Sequence, residues 1–123
     1  MRDRELLHSS HVIAELERAV RLARGREIAG LLLEDPAGDQ LLRLAPNLLN
    51  EPGQIEVPGW WLERMLHRRD PSEYRPVAFL HSHVSSLDLS ETDRASIQGF
   101  PLPWIVLRID TDGLRWVVVP PPA

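Results

Sequence analysis

The stretch VAFLHSHVSSLDLSETD, residues 77–93, decides how the chain is interpreted. It begins with four apolar residues, 77–80, which predict a short buried strand. His81 and His83 stand at the end of that strand, two residues apart. Alternate side chains of a strand project to the same face of a sheet, so the two imidazoles are expected to point to one side and Ser82 to the other.

The second half of the same stretch brings a carboxylate close to the histidines. Val84 to Leu89 is predicted to be a loop, and Ser90 is predicted to cap a helix that carries Asp93 in its first turn and ends near Gln98. Two imidazoles and one carboxylate suit zinc, and three protein ligands leave a fourth position open for water, as in catalytic zinc sites. Structural alternatives exist: the histidines could be hydrogen-bonded or exposed, and Ser90 with Asp93 could form a capping box.

The remaining elements follow from the spacing of apolar residues and from turn residues. Helical spacing predicts a first helix from Ser9 or Ser10 to about Ala23, ended by Gly25, and a second helix from Pro58 to Arg68 or Arg69. Loops are predicted at Asn47–Gly53 and Asp70–Pro76, and Thr111-Asp112-Gly113 is predicted to be a hairpin turn. The predicted strands are Glu27–Leu33, Gln40–Ala45, Val77–Leu80, Trp104–Ile109, Leu114–Val119 and, left open, a short strand at Gln54–Val57.

This order of elements, α–β–β–(β)–α–β–α–β–β, predicts a mixed sheet flanked by helices in a single α/β or α+β domain. The domain is expected to span residues 1–123, with its core at about residues 9–119 and a proline-rich tail at 120–123. A length of 123 residues suffices for one domain with a modest hydrophobic core.

Composition and charge limit the classes of function. Hydrophobic residues make up 43% and charged residues 26% of the chain, an ordinary globular composition. The formal net charge of −4 argues against general nucleic-acid binding, which requires a basic surface. No apolar run approaches the roughly 18 residues of a membrane span, and no signal-peptide pattern begins the chain, so we expect a cytoplasmic protein. The chain has no cysteine, so any metal must be held by His, Asp or Glu.

Glu27 is a further candidate for the site. It begins the first predicted strand, where a buried carboxylate is costly unless it is paired or functional. Ala29 and Gly30 would allow a neighbouring strand to approach closely, and that strand would bring Glu27 beside the histidines. There Glu27 could act as a general acid/base. The alternative is an exposed residue at the end of the turn that begins at Arg24, and spacing alone does not decide between the two.

Three motifs taken together resemble those of the JAMM, or MPN-plus, zinc metalloprotease family: Glu27-x-x-Gly30, His81-Ser82-His83 and Ser90-x-x-Asp93. The resemblance covers about residues 9–119 and implies the MPN-like (cytidine-deaminase-like) fold. It implies one zinc ion per chain, held by His81, His83 and Asp93. It also implies that Glu27 is the general acid/base and that Ser90 helps to hold the oxyanion of the tetrahedral intermediate.

The activity implied by the resemblance is that of an isopeptidase or peptidase. In the family the scissile amide often follows the C-terminal tail of a ubiquitin-like or sulfur-carrier protein, and such a tail would lie along a strand edge by β-addition. The short chain favours a compact prokaryotic or phage-type member. No membrane or nucleic-acid partner is expected, and the sequence does not predict the oligomeric state.

Two alternative functions stay open beside this one. The first is a phage-tail-type peptidase, and the second is a non-catalytic MPN-type scaffold that binds a protein partner. The loop Val84–Leu89 has six residues where the family has seven, and Val84 stands where the family usually has proline. These two departures keep the scaffold alternative open, whereas the complete set of five functional positions favours an active enzyme.

Overall fold

The structure is a computed structural model that describes residues 5–47, 56–67, 73–84, 87–98 and 100–121. Five strands form one mixed sheet with helices packed on it, which confirms the predicted mixed α and β class. The elements in chain order are α1 (Ser10–Ala23), β1 (Ala29–Glu34), β2 (Gln40–Leu44), α2 (Gly59–His67), β3 (Arg75–Ser82), α3 (Glu91–Ile97), β4 (Trp104–Asp110) and β5 (Gly113–Val119).

Helix α1 has the limits that its capping residues predict. The Ser9 side chain accepts a hydrogen bond from the backbone N–H of Val12 at 3.2 Å, as an N-cap does. At the other end Arg24 adopts a left-handed conformation with φ 50°, and Gly25 follows with φ 82°. This sharp end turns the chain back toward the sheet, so that β1 begins a few residues later.

The sheet has the strand order β2-β1-β3-β4-β5. Strand β1 pairs antiparallel with both β2 and β3, β3 pairs parallel with β4, and β4 and β5 form an antiparallel hairpin. In this register Ala29, at the start of β1, lies opposite His81, near the end of β3. The residues just before β1 therefore lie beside the histidine motif, as the sequence predicts for a neighbouring strand.

The helices cover opposite faces of the sheet. Helix α1 packs through Val12 and Leu16 on one face, and α2 and α3 pack through Met65 and Ile97 on the other. Strand residues divide between the two hydrophobic clusters by the alternation that a pleated sheet imposes. The first face holds Leu32, Leu42, Ala78, Leu80, Ile105 and Leu107, and the second holds Ala29, Leu31, Leu33, Phe79 and Trp104.

Strand β3 begins two residues before the predicted strand Val77–Leu80, within the predicted loop Asp70–Pro76. Arg75 and Pro76 belong to the strand and lie opposite Glu34 and Leu33 of β1. Proline lacks a backbone N–H. Among the described residues no strand pairs with Pro76 on the side away from β1, since pairing of β3 with β4 begins at Phe79. The register between β1 and β3 also shifts between Leu32 and Leu33. Proline is tolerated in a strand at such an irregularity.

Other boundaries differ from the predictions by a few residues. Strand β1 begins at Ala29, so Glu27 and Ile28 precede it. Helix α2 begins one residue after Pro58, and its predicted end at 68 or 69 lies outside the described residues. Of the short strand left open at 54–57, residues 54 and 55 also lie outside the described ranges, while Glu56 and Val57 are not in a strand.

Gly30 allows a close strand approach, but the strand that comes close is β2 and not the histidine strand β3 for which the sequence predicts it. It lies opposite Leu44 in the β1–β2 hairpin, and an added Cβ would overlap the backbone carbonyl oxygen of Arg43. A larger residue would push β2 away from β1 and disturb the segment that leads into the strand from Glu27.

Candidate metal centre

His81 and His83 point to the same side of β3, as the two-residue period predicts. Their ring centroids are 4.9 Å apart and the ring planes are nearly perpendicular, at 89°. The side chains are 5% and 10% exposed, so both are largely removed from solvent. The backbone N–H of His83 donates to the Leu107 carbonyl at 2.7 Å, which fixes His83 beside β4 just after β3 ends.

Asp93 comes to the histidines from α3. Its Oδ2 atom lies 2.8 Å from Nε2 of His83, and its Oδ1 atom lies 3.6 Å from Nε2 of His81. Oδ2 also accepts a hydrogen bond from the backbone N–H of Ser90 at 3.1 Å, and the Ser90 hydroxyl accepts one from the Asp93 N–H at 3.1 Å. The capping box offered as a structural alternative is therefore present. It holds the Asp93 carboxylate in position against both imidazoles.

Glu27 reaches the site from the segment before β1. Its Oε1 atom lies 3.3 Å from Nε2 of His81, and its side chain is 13% exposed. The alternative of an exposed turn residue is therefore wrong. Two hydrogen bonds that the sequence does not predict hold this segment in place. The Ser82 hydroxyl accepts from the Ile28 N–H at 2.7 Å, and the Ser82 N–H donates to the Ile28 carbonyl at 2.9 Å. The one signal in the sequence is that Ser82 is predicted to point to the face of the sheet opposite the histidines; there it is buried, 2% exposed.

The structure brings all four predicted donors together, but it does not single out the predicted ligand set. Atoms of Glu27, His81 and His83 lie within 4.8 Å of one another and form a group that could hold a metal ion. Asp93, the predicted third ligand, contacts the two histidines through different oxygen atoms. Both carboxylates are thus candidates for the third ligand.

The charges of the site favour a cation. Glu27 and Asp93 are 13% and 9% exposed, and among the described residues neither forms an ion pair with an arginine. Two nearly buried carboxylates beside the same imidazole are costly unless a positive charge offsets them. That charge can come from a protonated histidine or from a bound metal ion, and the two cases predict different metal contents.

The chemistry of the donors suits a metal ion. The recorded contacts are 3.3 Å from Glu27 to His81, and 3.6 and 2.8 Å from the two oxygens of Asp93 to His81 and His83. They join different pairs of atoms and do not define a single coordination geometry. The donors themselves, imidazole nitrogen and carboxylate oxygen, are those that zinc accepts in the absence of cysteine. The residues present therefore fit a zinc ion.

Aromatic residues pack behind His81. The Trp104 ring lies 5.7 Å from the His81 ring, and the Phe79 ring lies 4.9 Å from the Trp104 ring. Trp104 belongs to the cluster between the sheet and helices α2 and α3. This packing restricts the orientation of the His81 ring, as the apolar surroundings of a metal ligand commonly do.

Replacing Ser82 with alanine is expected to lower the free energy of unfolding by about 1–3 kcal/mol. The change removes the acceptor of the Ile28 N–H and leaves a backbone donor near the sheet interior unsatisfied. Urea unfolding followed by circular dichroism measures the effect. Ser96→Ala, at an exposed position of α3, is the matched control. Equal stabilities for the two variants would show that the Ser82 hydroxyl does not hold the segment.

Comparison with known proteins did not add to this description: no family model and no curated protein matched the chain. Among the helices within the described ranges, none has both the length and the apolar character that a bilayer crossing requires.

Proposed function

We propose that the protein is a zinc-dependent peptidase or isopeptidase of the JAMM type, with an MPN-like fold. The observation that carries the proposal is the convergence of Glu27, His81, His83 and Asp93, drawn from three separate segments, in one nearly buried cluster. Ordinary packing does not require two carboxylates and two imidazoles at one point. Clusters of this kind are typical of functional sites.

We assign the ligand roles to His81, His83 and Asp93. Asp93 contacts both histidines, and its Oδ2 atom is oriented by the Ser90 N–H, the kind of second contact that positions a metal ligand. A bound zinc ion would supply Lewis acidity, the chemistry that activates water and polarises a carbonyl group. Glu27 is then available for proton transfer. The competing assignment makes Glu27 a ligand, and the zinc contents of Glu27 and Asp93 variants distinguish the two.

Glu27 would move the proton during amide hydrolysis. Its carboxylate takes a proton as a water oxygen adds to the amide carbonyl carbon, and it returns that proton to the nitrogen as the C–N bond breaks. The products are a carboxylic acid and an amine. The nearly buried position of Glu27, 3.3 Å from His81, places this base beside the candidate ligands.

Ser90 would support the developing negative charge on the carbonyl oxygen. Its oxygen atom accepts from the Asp93 N–H, and its own hydroxyl hydrogen can still be donated. Ser90 is exposed at the start of α3, so a substrate can reach it. One hydroxyl can thus cap the helix and donate to the oxyanion.

The proposed substrate is the C-terminal tail of a ubiquitin-like or sulfur-carrier protein. Strand β2 lies at the edge of the five-stranded sheet, on the side of β1 away from the histidines. Leu44 at its end is exposed and lies opposite Gly30, three residues from Glu27. An extended tail paired with this edge would run toward the end of the sheet that carries Glu27 and the histidines, with β2 and β1 between it and β3. The cytoplasmic location stays a prediction from the sequence.

Intact-mass spectrometry of candidate substrates tests the proposal. Small β-grasp proteins that end in Gly-Gly, each extended by one further residue, would be incubated with the zinc-loaded protein. We expect cleavage after Gly-Gly that stops when zinc is chelated and returns when zinc is restored. Cleavage of cell-wall cross-link peptides alone would favour the phage-tail-type peptidase. Bound but uncleaved β-grasp protein would favour the scaffold.

A further inference from the structure

Arg108 lies beside the candidate metal centre, on the same face of the sheet. In β4, Ile105 and Leu107 pack toward α1, whereas Trp104 packs on the opposite face with α2 and α3. Side chains alternate along a strand, so Arg108 projects to the face that carries Trp104. The Trp104 ring lies against His81 on this face. Arg108 and the two histidines therefore share one side of the sheet.

The strand register places Arg108 next to His83. Strands β3 and β4 are parallel, with Ser82 opposite Leu107. The next residues along these two chain segments are His83 and Arg108. Neighbouring strands are about 4.8 Å apart, a distance that a long arginine side chain can span. Because β1 and β4 flank β3 on opposite sides, Glu27 and Arg108 approach the histidines from opposite directions.

The guanidinium group of Arg108 contains a buried donor without a partner. Its Nε atom is buried and forms no hydrogen bond, and no carboxylate in the described part of the chain forms an ion pair with Arg108. Arg115, directly opposite in β5, pairs instead with Asp110 and Asp112. Like charges opposite each other destabilise a sheet, so each benefits from a neighbouring anion. Among the described residues Arg115 has such anions and Arg108 has none.

The structural alternative is that Arg108 only covers apolar surface. In that role the aliphatic stem is buried and the head group stays in water. In Arg108 the burial extends to Nε, which is part of the head group, and burial of an unpaired donor is costly. The two Nη atoms are not buried in this way, so a ligand can reach them. An anion bound there would offset the charge beside the metal centre.

The position of Arg108 favours the terminal carboxylate of a substrate. A guanidinium group presents paired N–H donors that match the two oxygens of a carboxylate. In an amide substrate, the α-carboxylate of a final residue follows the scissile nitrogen by the span of one residue, about 3.5 Å. This span is similar to the separation of neighbouring strands, about 4.8 Å, which is the step from His83 to Arg108. A longer leaving group would carry its terminal carboxylate past Arg108.

We propose that Arg108 binds the C-terminal α-carboxylate of the substrate, so that the protein removes a single residue from the end of a tail. The inference rests on the proposed function for its role, because it specifies which amide is cleaved. Binding of the carboxylate requires neither zinc nor hydrolysis, so the two proposals can fail separately.

Nuclear magnetic resonance titration of the full chain tests the binding. Zinc is removed, so that a carboxylate cannot bind to the metal instead. The probes are acetyl-Gly-Gly-Ala with a free C-terminus, acetyl-Gly-Gly-Ala-amide and acetyl-Gly-Gly-Glu-amide, whose carboxylate is on a side chain. We expect a saturable shift of the Arg108 Nε–H resonance with the first peptide. Both amides should bind at least about 10-fold more weakly, because they lack the charge-assisted hydrogen bonds to a terminal carboxylate.

The wild-type comparison alone can overturn the proposal, without any variant. Equal binding of acetyl-Gly-Gly-Ala and its amide would show that the carboxylate is not recognised. Equal binding of acetyl-Gly-Gly-Ala and the glutamate amide would show that a terminal carboxylate is not required, and removal of a single residue would no longer follow.

The variant Arg108→Gln is expected to bind acetyl-Gly-Gly-Ala at least about 10-fold more weakly than the wild type, and no better than the variant binds the amide. Arg18→Gln is the matched control: it loses the same charge at an exposed position of α1, on the other face of the sheet, and should bind like the wild type. A preference for the free C-terminus that persists in Arg108→Gln would overturn the assignment. Hydrolysis by the zinc-loaded protein is measured separately, so its absence would count against the proposed function and not against Arg108.

Discussion

Replacing Glu27 with glutamine is expected to slow amide hydrolysis by at least about 100-fold, since positioned general acid/base groups contribute about 10²–10⁴-fold. Glutamine preserves the size of the side chain but cannot accept the proton from water or return it to the leaving nitrogen. The zinc content should stay unchanged, because we assign the three ligand positions to His81, His83 and Asp93. Hydrolysis rate and zinc content are measured on the same preparation.

Two companion variants make this result interpretable. Glu63→Gln, an exposed carboxylate on α2, is the matched control and should keep full activity. Asp93→Asn should lose zinc. The opposite pattern, zinc lost from Glu27→Gln and retained by Asp93→Asn, would make Glu27 the ligand, in line with its place in the group of three donors within 4.8 Å. Full activity of Glu27→Gln would contradict the acid/base role.

Replacing His83 with alanine is expected to abolish stabilisation of the protein by zinc. A ligand present at 100 times its dissociation constant raises the free energy of unfolding by about 2.7 kcal/mol. The wild-type protein should show a gain of this order, and His83→Ala should show almost none, because the donor nitrogen 2.8 Å from Asp93 is removed. Urea unfolding with and without zinc measures the difference.

The matched control is His11→Ala, on the exposed surface of α1, where the imidazole pairs with Glu15. It should gain as much stability from zinc as the wild type. Stabilisation of His83→Ala equal to that of the wild type would place the zinc elsewhere. The circular dichroism spectrum of His83→Ala without zinc shows whether the variant is folded. A folded spectrum means that the loss of zinc binding is not a consequence of unfolding.

The sequence predicts the parts of the fold that depend on local pattern. Helix α1 follows from its apolar spacing, the Ser9 cap and Gly25, and the β4–β5 hairpin follows from its turn residues. The start of β3 does not follow, because Arg75 and Pro76 carry the residue types of a loop. Only the one-sided pairing with β1 at a register shift makes that stretch a strand.

The same division holds for the candidate site. The common orientation of His81 and His83 follows from the two-residue period of a strand. The position of Glu27 depends on long-range pairing of β1 with β3 and on the Ser82 hydroxyl, which no local pattern reveals.

The central claim is that the cluster holds zinc, and elemental analysis of the wild-type protein tests it most directly. The protein would be purified without an affinity tag, and its zinc content compared with that of His83→Ala. We predict about one zinc ion per chain in the wild type, as expected for a three-ligand catalytic site, and almost none in the variant. No zinc in the wild type, even after reconstitution, would contradict the claim. The cluster would then consist only of contacts between histidines and carboxylates, which would favour the non-catalytic scaffold.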